Sequence, residues 1–124
     1  MVASARFFSA DDASPGRARR WVSRVLACWS VPEDKRSDVL LVVSELATNA
    51  VMHAHSEFVV VIREAPDVLG IAVADDAAEV PEVQTPSPKQ VGGRGMRIVQ
   101  KLARLSGVEP VPGDGKVVWA QLAR

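Results

Sequence analysis

The chain has 124 residues, enough to fold around one core and to bury about two-thirds of its unfolded surface. Apolar residues make up 48% and charged residues 24%, a globular balance that excludes disorder as the main state. Lys plus Arg and Asp plus Glu both number 15, so there is no basic excess to direct the chain to nucleic acid. The single cysteine, Cys28, excludes an internal disulfide framework.

In chain order, Arg6 to Ser9 reads as a short first strand. Asp11, Asp12, Ser14 and Pro15 form a helix-start cluster. Arg17 to Ser30 then reads as a helix, with Ala18, Trp21, Val22, Val25, Leu26 and Trp29 spaced by three and four. Val31-Pro32 breaks it, and a second helix is predicted from Pro32 to about Ala54. Proline suits the first helical turn, and Glu33 and Asp34 suit its partial positive charge. Glu57 to Glu64 and Val68 to Ala74 are Val- and Ile-rich with period two, and Ala65-Pro66-Asp67 makes them a hairpin. Asp75 to Val91 is acidic, proline-bearing and aperiodic, hence a long loop of the kind that is usually either functional or mobile. Gly92-Gly93-Arg94-Gly95 opens a third helix that Ser106-Gly107 is expected to end. Val108 to Val111 and Lys116 to Leu122 are the last strands, joined by Pro112-Gly113-Asp114-Gly115. The strands cluster as hairpins. The expected class is therefore α+β, a two-layer sandwich with a mixed or antiparallel sheet and helices on one face.

The apolar runs fall well short of the ~18 residues of a membrane span. The N-terminal segment has Asp11-Asp12 where a signal peptide would be apolar. The expectation is a single cytoplasmic domain over residues 1–124, with no membrane and no direct nucleic-acid contact.

Glu45, Asn49 and His53 step by four along the second helix, within about 80° of one another. Two readings are open. One is a solvated polar face. The other is a site, because Thr48 and Asn49 are poor helix formers and no Lys or Arg lies nearby for i,i+4 pairs. An amide oxygen is a hard ligand for Mg²⁺, and a carboxylate can orient or deprotonate a nucleophile. Asp75-Asp76 at a strand end is either an acidic turn or an acceptor for a ligand amino group. The glycines at 92, 93 and 95 would let backbone amides approach an anion at a helix N-terminus, with Arg94 adding a bidentate contact. The segment is not a P-loop, since GxxxxGK followed by Ser or Thr is absent. His53 and His55 lack the further ligands of a zinc site. Trp21, Trp29 and Trp119 read as core or interface aromatics.

Glu45-x-x-x-Asn49 on a helix, then Asp75 after a strand, then Gly93-Arg94-Gly95-Met96 at a helix start resembles the nucleotide site of the histidine-kinase-like ATPase superfamily, whose sandwich is the Bergerat fold. LLVVSELATNAVMHA, GGRGMRIVQKLA and GKVVWAQL look like the small bacterial anti-sigma-factor serine/threonine kinases, over about Arg6 to Leu122. The resemblance implies that Asn49 coordinates Mg²⁺ bridging the phosphates of ATP. It makes Glu45 the general base or the residue orienting the attacking hydroxyl, and gives Asp75 the adenine amino group. Gly93, Gly95 and Met96 would shape the phosphate end, with Arg94 near the phosphates and His53 at the outer end. The stretch 76–95 would be the ATP lid, short and carrying Pro81, Pro86 and Pro88. The implied partners are ATP and ADP, a STAS-type anti-anti-sigma protein phosphorylated on Ser or Thr, a sigma factor held in a partner-switching circuit, and a second copy in a homodimer. The rival expectation is a catalytically inactive, ATP-sensing binding module. One departure is plain: the family's Asp-x-Gly is here Asp75-Asp76-Ala77, and alanine lacks glycine's freedom at positive φ.

Overall fold

A computed structural model of the chain describes residues 2–52, 54–76, 91–111, 113 and 115–124, with the side chains of 91–95 outside the description. The elements run β1 (Val2–Phe8), α1 (Ser14–Cys28), α2 (Glu33–Met52), β2 (Phe58–Ala65), β3 (Val68–Asp75), α3 (Val91–Leu102), β4 (Leu105–Val111) and β5 (Gly115–Ala123). The strands form one sheet in the order β1-β2-β3-β5-β4. Every neighbouring pair is antiparallel, which settles the choice between mixed and antiparallel. The class is α+β, as expected.

Strand alternation gives the sheet two faces. On one, Phe58, Val60 and Ile62 of β2, Leu69, Ile71 and Val73 of β3, and Val118, Ala120 and Leu122 of β5 are buried in a common core with the helices. Helix α2 is the central helix, lying against β3, α1 and α3. Its Val39, Val42, Val43, Leu46, Ala47, Ala50 and Val51 are buried, the i, i+3, i+4, i+7 set of an amphipathic helix. Burying a Leu, Ile or Phe of this kind contributes roughly 1.5–3 kcal/mol relative to leaving it in water. Phe8, at the end of β1, stacks on Phe58 at 5.3 Å and meets the edge of Trp21 at 6.1 Å, tying β1 to the core through α1.

Four element boundaries, the starts of β1, α1 and β4 and the end of α3, differ from the sequence reading by three residues or more, each for a tertiary reason. β1 begins at Val2 rather than Arg6, because the whole segment pairs with β2 from Val2↔Glu64 to Phe8↔Phe58. Its side chains are largely exposed, so no hydrophobic alternation marks it. Helix α1 begins at Ser14, three residues before Arg17. Asp11 shapes that start: its carboxylate accepts from the Ala13 amide at 2.9 Å and from the Ser9 hydroxyl at 2.7 Å. Helix α3 ends at Leu102, before Ser106-Gly107. The Arg104 amide already donates to the Gln121 carbonyl of β5, and Leu105 enters β4. Gly107 is a strand residue opposite Trp119. A Cβ there would stand 2.8 Å from the Trp119 ring, so this glycine makes room for an indole and does not end a helix.

Candidate nucleotide site

The pieces singled out in the sequence converge around α2. Glu45 and Asn49 are half-buried on that helix, between its fully buried positions. Helix α2 lies against β3, which ends in Asp75, and against α3, whose first turns hold Gly93, Arg94 and Gly95. The glycines thus form the opening of α3, as the sequence predicted. Met96 is buried within the hydrophobic core. His53, the Arg94 side chain and residues 77–90, which include Ala77 and most of the expected lid and loop, lie outside the described residues.

The end of α2 is held to the end of β3. The last helical carbonyls need donor partners beyond the helix. Asn49 O accepts from the Ala54 amide and Ala50 O from the Ser56 amide, both at 3.2 Å. The chain reverses through His55, which is exposed and has φ 50°. Ser56 is then buried. Its hydroxyl donates to the Glu57 carbonyl at 2.6 Å and accepts from the Asp76 amide at 2.8 Å. One serine therefore fixes the backbone just after Asp75 relative to the helix that carries Asn49.

Asp75 continues the inward row Leu69, Ile71, Val73, so its side chain stands on the helix-covered face of the sheet. Opposite it, in register on β5, is Lys116, which begins the inward row Val118, Ala120, Leu122. The Lys116 ammonium donates to Asp75 Oδ1 at 3.0 Å and lies 3.0 Å from Oδ2. The two side chains are only 7% and 3% exposed. Gly115, beside Lys116, has φ 92°. A Cβ there would collide with the Asp75 carbonyl and stand 2.7 Å from Asp76 Cα. Glycine is required twice over, by the backbone conformation and by this close approach.

Ser56, Gly115 and Lys116 are the residues packed around Asp75 and Asp76 that sequence reasoning did not single out. Lys116 had a legible signal: a charged residue at an inward position of an alternating strand is rare unless it is paired. Ser56 had none, since a serine between a helix and a strand is ordinary. Among the described residues there is no group of three or more His, Cys, Asp or Glu able to hold a metal.

A family model described as the histidine kinase-like ATPase domain matches residues 8–122. The chain belongs to that family. The match spans every element from the end of β1 to β5, and it carries ATP as the ligand class. Solved structures agree on the fold. The crystal structure of the RsbU and RsbW domains of a Mycobacterium tuberculosis protein aligns with a TM-score of 0.75 at 16% identity, over 100% of this chain and 33% of that one. The histidine kinase domain of a blue-light activated histidine kinase from Erythrobacter litoralis aligns with a TM-score of 0.56 at 26% identity, over 87% of this chain and 58% of that one. This histidine-kinase-like ATPase domain thus spans a third and somewhat over half of those two chains. No curated protein matches it significantly. No helix among the described residues is long and apolar enough to cross a membrane.

Proposed function

We propose that the protein is an ATP-binding anti-sigma regulatory factor that phosphorylates a Ser or Thr of an anti-anti-sigma partner and sequesters a sigma factor. The observation that carries this reading is Asp75. It is a carboxylate buried on the helix-covered face at a strand end, beside the helix that presents Glu45 and Asn49. In the proposed arrangement Asp75 accepts from the amino group of adenine. Asn49 would hold Mg²⁺ through its amide oxygen, together with ATP phosphates and water, and the ion would offset the phosphate charge. That donor set suits Mg²⁺, which keeps several waters and is commonly held by few protein groups together with substrate phosphates; no all-protein cage is needed. Gly93, Gly95 and Met96 shape the phosphate end. The amides at the start of α3, with Arg94, would face the phosphates, and His53 would be the residue at the outer end.

Glu45 orients the partner's hydroxyl and takes its proton as the oxygen bonds to the γ-phosphorus and ADP leaves. Positioning and charge stabilisation account for most of such a transfer. The fold shared with a chain that carries an RsbW domain agrees with this reading. The domain spans residues 1–124, with the lid over 76–95, and works as a homodimer.

Calorimetry with ATP, with and without Mg²⁺, tests the site. Binding should require Mg²⁺ for full affinity and weaken at least tenfold in Asn49→Ala. Glu45→Ala should retain ATP binding and lose phosphate transfer to a STAS-type protein. Absence of ATP binding at millimolar concentration refutes the assignment. A second reading, an ATP-sensing module without transfer, is favoured by the Asp75-Asp76-Ala77 sequence, where alanine replaces the glycine of the family's Asp-x-Gly. Glu45→Ala would then leave partner capture unchanged.

A further inference from the structure

An antiparallel sheet covered on one side commonly turns polar side chains to the other. This sheet does not. Register and strand alternation place an outward row of Ala5, Val61, Ala72, Trp119 and Gly107 across β1, β2, β3, β5 and β4. In the outward rows of all five strands the polar residues are Arg63, Gln121 and Glu109 alone. The edge strands add Phe7 and Leu105, 58% and 60% exposed. Among the described residues, the helices share their core with the inward rows only. The face is also low in relief. A Cβ at Gly107 would stand 2.8 Å from the Trp119 ring, so the indole lies over β4. Arg63 lies over Gly70 in the same way, its Nε 3.7 Å from where a Cβ would be. Ala72 and Ala74 leave the central strand without bulk.

A continuous apolar face of this extent marks an interaction surface. Five strands about 4.8 Å apart, paired over seven residues of about 3.4 Å each, span roughly 24 by 24 Å, or about 580 Å² in projection. Accessible surface over side chains exceeds its projection. Two such faces laid together therefore remove more than about 1,000 Å², the size at which a specific interface begins. Apolar sheets pack on sheets, about 10 Å apart and turned by about 30° to match their twist, so a second face of this kind fits the first. Charge favours the same partner. The formal net charge is zero, so two copies meet without mutual repulsion, and the face carries one cation and one anion, Arg63 and Glu109.

We propose that the outward face of the sheet is the interface between two copies of this chain, packed sheet on sheet about a two-fold axis. This interface deepens the homodimer reading above, on which it rests, by saying where the copies meet. Helix α2, with Glu45 and Asn49, lies on the other side of the sheet. Both nucleotide sites therefore stay open on the outer sides of the pair.

Sedimentation of the full chain without nucleotide, up to about 100 µM, tests the interface. The wild type should sediment at twice its 13.3 kDa. Ala72→Glu sets a like charge at the middle of both faces, and should weaken the dimer at least about a hundredfold. It should keep its far-ultraviolet circular dichroism and its ATP affinity. Leu41→Glu, on an exposed position of α2, should leave the dimer intact. If Ala72→Glu does not fold, Val61→Lys on the neighbouring strand gives the same reading. A monomeric wild type overturns both the interface and the homodimer reading. A dimer that survives Ala72→Glu, or that Leu41→Glu dissolves, overturns the interface and leaves the homodimer reading standing. A dimer that Ala72→Glu dissolves, with no ATP bound by the wild type, supports the interface and refutes the nucleotide site alone.

Discussion

The ion pair between Asp75 and Lys116 gives the sharpest test of how the site is built. Both side chains are nearly sealed from water, at 3% and 7% exposure, with Nζ 3.0 Å from each carboxylate oxygen. Lys116→Met keeps most of the apolar stem and leaves the carboxylate buried without its cation. Breaking a buried pair in this way costs about 3–5 kcal/mol, a large share of a total stability of roughly 5–15 kcal/mol. For a chain of this size that is about 10 °C or more in melting temperature. Asp75→Asn should be costly too, because it strands the ammonium. The double variant, Asp75→Asn with Lys116→Met, should lose less than the sum of the single losses, with a coupling of about 1–3 kcal/mol. Urea unfolding followed by far-ultraviolet circular dichroism reads all four corners of the cycle. A loss below about 1 kcal/mol in Lys116→Met, or strict additivity in the double variant, would show that the two charges do not depend on each other. The account of Asp75 and Lys116 as one buried pair across β3 and β5 would then fail.

Gly115→Ala places a Cβ at φ 92° against the Asp75 carbonyl, and should cost about 2 kcal/mol or more. Stability and ATP affinity should fall together; an unperturbed variant in both assays contradicts the close approach. Ser56→Ala removes the acceptor of the Asp76 amide and the donor to the Glu57 carbonyl. The expected loss is about 1–3 kcal/mol, with faster hydrogen exchange at the Asp76 amide as the local readout. Asp11 is held below its ordinary 3.8, first by the Ser9 hydroxyl, then by the Ala13 amide and the Arg17 charge. A lowered folded value means that its stabilising contribution is complete above the unfolded value and fades as pH falls through the lowered one. The urea midpoint of the wild type should therefore drop below about pH 4 more steeply than that of Asp11→Asn. Parallel curves would remove Asp11 from the account of how α1 starts.

Much of this protein is written in local pattern. The three- and four-residue spacing through α1 and α2, the period-two runs of β2 and β3 with their Pro66-Asp67 turn, and the glycines opening α3 are all short-range signals. Each reports on residues close in sequence, and the helices and strands they forecast are present. The alignment of Glu45 and Asn49 on one helix was equally legible, because helical geometry alone brings them together. Only the tertiary structure decided that β5 inserts between β3 and β4. That pairing sets Lys116 opposite Asp75, 41 residues away, and presses Gly115 onto the backbone beyond it. Likewise, β1 extends back to Val2 because β2 offers an edge, and Gly107 is a strand residue because the Trp119 indole needs its space. Neither leaves a local mark. Strand order and register are fixed by which distant rows of side chains bury each other, so periodicity could announce the strands of this sheet but not which buried charges face each other across it.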